Sequence, residues 1–259
     1  YGDHRDLHLS IRRQRQMCIR DRINSKKINI IFGTHSLFQK KINFNNLGYI
    51  IIDEQHKFGV KQRKNLSDKG GKNCDILLMS ATPIPRTLQL ALSGVRSMSI
   101  IATPPMDRLS VRTFILPYDG VVVKEAILRE QSRGGQIFYI CPQIKDLDTV
   151  SRALKVLAPE TRIVIAHGQM SPSELDRAMT SFYERKFDLL LATSIIESGL
   201  DIPTVNTLIV HRSDRFGLAQ LYQLRGRVGR SKVRAYAYFT VNSPNSLQGD
   251  ALKLSLIHI

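Results

Sequence analysis

From residue 28 onward, short β-branched runs that end in polar residues alternate with longer amphipathic stretches. This pattern predicts a parallel α/β architecture. The apolar runs place strands at 28–32, 49–52 and 76–79, then at 136–141, 162–166, 188–192, 207–210 and 235–239. They are apolar almost throughout, as expected of strands covered on both faces. One helix start is written clearly: Ser171, Pro172, Ser173 and Glu174 form a capping box with proline at the first helical position. Leu175, Met179 and Phe182 then fall on one helical face. Between the two groups of strands, Pro104 and Pro105 remove two backbone donors and restrict the residues before them. This is the best domain boundary, giving a first domain over 23–103, a linker over 104–118 and a second domain over 119–253. No internal repeat, coiled-coil heptad or low-complexity tract interrupts the pattern.

The two ends depart from it. Residues 17–22 and 254–259 can be encoded by opposite strands of one DNA segment, which resembles the transposon end used in sequencing-library adapters. Both 1–22 and 254–259 therefore read as adapter-like artefact and are set aside. The chain has 259 residues with 38 Lys and Arg against 22 Asp and Glu, net +16. Removing the six Arg and three Asp of 1–22 leaves 32 basic and 19 acidic residues over 231 positions, net +13. The basic excess survives and suggests a polyanionic partner, although charge alone is not specific. With 42% hydrophobic residues the chain is not disordered, and no apolar run reaches the ~20 residues that cross a bilayer. Three cysteines without C-x-x-C spacing argue against a disulfide framework or a structural zinc site, so a reducing, cytoplasmic setting is expected.

In a parallel sheet, ligands gather beyond the carboxyl ends of strands, so polar residues that directly follow apolar runs carry the chemistry. The run 49–52 leads into Asp53, Glu54, Gln55 and His56. Two adjacent carboxylates can divide labour, one holding Mg²⁺ through water and the other orienting or deprotonating an attacking water. Alone, the pair also fits an acidic strand end facing solvent. The run 76–79 leads into Ser80, Ala81, Thr82 and Pro83, a second polar strand end that could sit beside the first. Later come Gln223 and three arginines punctuated by glycines, Arg225, Arg227 and Arg230. A guanidinium suits a transferring phosphoryl group because its fork donates two hydrogen bonds and keeps its charge. A solvated basic turn is the alternative. Residues 193–201 have the small and hydroxylated side chains expected where backbone amides approach phosphate, and equally suit a plain strand-to-helix loop.

In this order and at these separations the motifs resemble those of superfamily 2 helicases and translocases. Gly33, Thr34 and His35 look like motif Ib, Asp53 to His56 like Walker B, Ser80 to Thr82 like motif III, 192–201 like motif V and 223–230 like motif VI. The resemblance covers about 28–240. It implies two RecA-like parallel-sheet domains of the P-loop NTPase helicase core, the first truncated at its N-terminus, with ATP and Mg²⁺ as cofactors and double-stranded DNA as partner. It implies that Asp53 holds Mg²⁺ via water, that Glu54 acts on the attacking water, and that Gln223, Arg227 and Arg230 face the nucleotide, with Arg227 and Arg230 the catalytic arginine-finger candidates. By the same resemblance Gly199 and Asp201 link nucleotide state to DNA grip, and His56, Ser80 and Thr82 transmit it. Thr34, His35, Arg86 and Thr193 are the DNA-backbone candidates. His167 and His211 are left as structural.

Within the superfamily, the forms D-E-Q-H-x-F-G-V, S-A-T-P-I-P-R-T and Q-L-R-G-R-V-G-R are shared by branch-migrating helicases and by the translocases that couple transcription to repair. The stretches at 99–105, 123–130, 167–170 and 199–207 resemble the second branch. Membership there implies displacement of stalled RNA polymerase and recruitment of an excision-repair damage-recognition protein, through regions outside this sequence. No G-x-x-x-x-G-K-[ST] phosphate loop occurs in the sequence, so the chain by itself is expected to be inactive as an ATP hydrolase.

Overall fold

A computed structural model of the chain describes residues 21–23, 25, 28–34, 37, 42–44, 46–54, 74–80, 97–101, 103, 109–193 and 202–242. The chain divides into two compact units, 1–99 and 100–259.

In the first unit, strands β1 (Tyr49–Ile52) and β2 (Asp75–Leu78) pair in parallel, with Ile52 opposite Leu78. Two further bonds extend the ladder, Asp75 N–H to Gly48 O at 3.0 Å and Met79 N–H to Ile52 O at 2.8 Å. Ile50 and Ile52 are buried against Leu47, Cys74 and Leu78, whereas Tyr49 and Ile51 are exposed. Among the described residues this small sheet is thus covered on one face, not on both as its apolar run suggested. Residues 28–32 were expected to form a strand and do not. They lie in irregular backbone with Ile30 73% and Phe32 93% exposed. A strand is held by its ladder, and no described strand lies beside this stretch.

The second unit is a six-stranded, wholly parallel sheet in the order β3-β8-β7-β4-β6-β5. Its strands are β3 (Arg112–Pro117), β4 (Gln136–Ile140), β5 (Ile163–Ala166), β6 (Leu189–Ala192), β7 (Val205–Val210) and β8 (Tyr236–Val241). Helices α1 (Gly120–Ser132), α2 (Leu147–Leu157), α3 (Pro172–Tyr183) and α4 (Leu218–Arg225) supply crossovers. The alternation of strand side chains sorts the core into two layers. Ile137, Tyr139, Leu189, Leu191 and Ile209 pack under Val123, Ile127, Leu147 and Leu154 of α1 and α2. Phe138, Ile140, Leu190, Leu208 and Phe239 pack under Phe182, Leu221 and Leu224 of α3 and α4. Strands covered on both faces are apolar at nearly every position, which is why β4, β6 and β7 were visible in the sequence; the buried exceptions, Gln136, Asn206 and Thr207, lie at the starts of β4 and β7.

Strand β3 falls inside the stretch assigned to the linker. It is an edge strand paired only with β8, and its residues are exposed or half-buried. An edge strand with one accessible side tolerates Arg112, Thr113 and a terminal proline, so no continuous apolar run marks it. Strand β7 begins two residues earlier than expected, and includes the buried Asn206.

The capping box on α3 forms as expected. Ser171 Oγ accepts from Glu174 N–H at 3.3 Å, and Glu174 Oε2 accepts from both Ser171 N–H (3.0 Å) and Ser171 Oγ (2.6 Å). These bonds hold the Glu174 carboxyl below its ordinary pKa, the Ser171 hydroxyl being the largest cause. Leu175 and Met179 line the half-buried flank, and Phe182 is wholly buried with its ring centroid 5.8 Å from that of Phe138. Phe182→Ala is expected to destabilise this unit by about 3–5 kcal/mol, since truncation removes apolar burial and leaves a cavity. The midpoint of urea unfolding at unchanged slope measures it.

Candidate functional site

The first cluster stands at the carboxyl ends of β1 and β2. Because Met79 donates to Ile52, the chain leaves both strands side by side, and Asp53 and Ser80 emerge at the same edge. Asp53 is exposed, and its Oδ1 accepts from Glu54 N–H at 2.8 Å. Glu54 is half-buried and has φ of 50°, a left-handed conformation that costs a non-glycine residue on the order of 1–3 kcal/mol. This bend interrupts the strand alternation at the point where the two carboxylates occur. The outer carboxylate is accessible to a hydrated cation, and hard oxygen donors of this kind suit Mg²⁺, which keeps most of its waters.

The second cluster follows α4. Gln223 is half-buried on the helix, which ends as Gly226 N–H donates to Tyr222 O at 3.0 Å. Arg227 and Arg230 then differ sharply. Arg227 is only 8% exposed, whereas Arg230 is exposed, with Nε 3.4 Å from Gly226 O. Val228 and Gly229 between them are buried. The segment joins α4 to β8, and in a parallel sheet a connection from helix to strand returns to the amino-terminal edge. Thr193 closes β6 at the opposite, carboxyl-terminal edge and is 8% exposed. The structure therefore does not bring Thr193 together with the arginines. It brings Asp53, Glu54 and Ser80 together. Thr34 is exposed, and its carbonyl accepts from Leu37 N–H at 3.0 Å. His35, His56, Thr82, Arg86, Gly199 and Asp201 lie outside the described residues.

Two polar residues that the sequence reading did not single out hold the arginine segment. Ser231 Oγ donates to Asn206 Oδ1 at 2.8 Å, and the amide of Asn206 donates to Thr204 O at 3.3 Å. The partners are 25 residues apart on different elements, and no periodicity links them.

His211, at the carboxyl-terminal edge, is packed into the fold. His211 N–H continues the ladder to Ile140 O at 2.8 Å, its Nδ1 lies 3.4 Å from the Tyr139 hydroxyl, and its ring meets Tyr118 edge-on at 5.4 Å. Burial lowers the His211 pKa, with Asp146 and Asp214 opposing and Arg212 reinforcing the shift. A group whose folded pKa is depressed supports the fold above its unfolded pKa and loses that contribution as pH falls through the folded value. Stability is thus expected to decline as pH drops below the ordinary histidine value of about 6.5. Urea unfolding at pH 7.5 and 5.5 should show a smaller decline in His211→Gln. Among the described residues there is no cluster of metal-ligating side chains, Cys74 and Cys141 are free, and no helix is long and apolar enough to cross a membrane. Burial pushes the Cys141 thiol up to about 12, which keeps it protonated.

The order of these clusters along the chain agrees with two family matches. Residues 2–91 match the DEAD/DEAH box helicases, a span that reaches into the first 22 residues, and 121–232 match the helicase conserved C-terminal domain. The chain belongs to the superfamily 2 helicases, and its α/β fold is that of their RecA-like core. Within that class its curated relatives include transcription-repair-coupling factors. That of Rickettsia typhi is 52% identical over 235 residues, 91% of this chain and 21% of the relative, and that of Escherichia coli K12 is 51% identical over 227 residues, 88% and 20%. The chain therefore spans about a fifth of the length of these relatives. A solved structure of RecG bound to a three-way DNA junction is also similar, with a TM-score of 0.70 and 38% identity, covering 93% of this chain and 32% of that one.

Proposed function

We propose that the chain is the motor segment of an ATP-driven double-stranded DNA translocase of the transcription-repair-coupling type, acting in the cytoplasm. The observation that carries this reading is identity of 52% over 91% of the chain to a coupling factor, against 38% to RecG. In this reading Asp53 holds Mg²⁺ through water, and the ion, when bound, neutralises charge on the β- and γ-phosphates. Glu54 accepts a proton from the water that attacks the γ-phosphorus as the bond to the ADP oxygen breaks. Gln223 and Arg227 position the nucleotide, and Arg230 donates to the γ-phosphoryl oxygens. Ser80, with His56 and Thr82, passes the nucleotide state onward. Gly199 and Asp201 connect it to DNA grip by Thr34, His35, Arg86 and Thr193. RNA polymerase and an excision-repair damage-recognition protein engage parts of the longer protein outside this chain.

The full-length protein is expected to hydrolyse ATP faster with double-stranded DNA and to displace a stalled RNA polymerase from its template. Fork-specific unwinding with no effect on the polymerase would instead support a RecG-type, branch-migrating function. No DNA-stimulated turnover at all would leave a non-catalytic DNA-binding module. The 259-residue chain assayed alone is expected to release no phosphate above background, because it carries no lysine-bearing phosphate loop.

A further inference from the structure

The segment that presents Arg230 is anchored on both sides. On one side Val228 is wholly buried in the layer beneath α3 and α4. Gly229 follows with φ of 74°, and a Cβ there would stand 3.0 Å from Val111 Cγ2 and 3.1 Å from Ala235 Cβ. Only glycine combines that left-handed backbone with so close an approach to the residues preceding β3 and β8. On the other side Ser231 Oγ donates to Asn206 Oδ1 and accepts from Val233 N–H at 3.3 Å. Asn206 is the second residue of β7 and is 4% exposed. Its Nδ2 is committed to Thr204 O, so its oxygen faces Ser231.

The base of this tether is itself braced. Thr204 Oγ1 donates to Gln136 Oε1 at 2.5 Å, and Gln136 Nε2 donates to Phe182 O and Phe187 O, both at 2.8 Å. Beside Asn206, Thr207 Oγ1 donates to the buried carboxylate of Glu130 at 2.5 Å, which also pairs with Arg133. Asn206 is thus a fixed point on the sheet, and Ser231 transfers that rigidity to Arg230, its neighbour in the chain.

We infer that Asn206 and Ser231 are positioning residues for Arg230, holding its backbone so that the guanidinium meets the transferring phosphoryl group. The inference rests on the proposed role of Arg230. Positioning matters most in the transition state, where a misplacement of about 1 Å can cost on the order of 10²-fold. Loss of the tether therefore lowers kcat and leaves the KM for ATP in place.

The test uses the full-length protein and DNA-stimulated ATP turnover. Ser231→Ala, which removes one oxygen from a half-buried site, is expected to lower kcat about 10-fold with KM within about 2-fold. Asn206→Ala should behave alike, and Ser231→Thr, which keeps the hydroxyl that reaches Asn206 Oδ1, should retain most of the turnover. In an Arg230→Ala background, Ser231→Ala should add no further loss, because the two residues act as one unit. A merely structural role predicts additive losses and a lowered unfolding midpoint, and additivity would overturn the inference. Wild-type kcat in Ser231→Ala beside a collapse in Arg230→Ala would overturn it too, and Ser231→Ala decides if Asn206→Ala fails to fold. Wild-type turnover in Arg230→Ala would reject the role of Arg230 and the tether with it.

Discussion

Glu54→Gln in the full-length protein is expected to reduce DNA-stimulated ATP turnover by about 10²–10⁴-fold, the usual contribution of a positioned general base. The substitution keeps the size of the side chain and removes its ability to take a proton. Glu54 is half-buried at the end of β1 and sits in a left-handed bend beside Asp53. That geometry separates the two carboxylates: Asp53 is turned outward and is bonded through Oδ1 to the Glu54 amide, so it is free to serve a hydrated cation through its other oxygen. Binding of a fluorescent ATP analogue and of duplex DNA should persist in Glu54→Gln. Turnover within about 10-fold of wild type would remove Glu54 from the role of base.

Arg230→Ala should have an effect at least as large, since an arginine directed at a transferring phosphoryl group is worth about 10³–10⁵-fold in related phosphoryl-transfer enzymes. Of the arginines around α4, Arg230 is the exposed one beyond the buried Val228 and Gly229, whereas Arg227 is buried. Truncating Arg227 would therefore disturb packing as well as charge, and Arg230 gives the cleaner measurement. Arg230→Lys should recover little, because a lysine ammonium lacks the planar fork. Steady-state kcat and KM at saturating DNA measure both variants, and a change confined to KM would place Arg230 in ground-state binding alone.

Asp53 and Glu54 follow a run of three isoleucines, and that local signature places them at a strand end without knowledge of the partner strand. The capping box at Ser171 and Glu174 was legible for the same reason, because its partners are three residues apart. Strand β3 was hidden because an edge position relaxes the demand for apolar residues at every site. Residues 28–32 misled in the opposite direction, since a β-branched run states a preference that only a neighbouring strand can satisfy.

The sequence by itself determined the α/β class, the central strands of the second unit and the chemistry available at the Asp53–Glu54 pair and the arginine segment, because these depend on residue type and short-range spacing. Tertiary structure alone decided that β1 and β2 release Asp53 and Ser80 at one edge, and that the arginines and Thr193 occupy opposite edges of the second sheet. It alone joined Ser231 to Asn206. Such partnerships arise where the ladder register and a helix return bring distant residues within hydrogen-bonding reach, and nothing in the local pattern of either segment encodes the other.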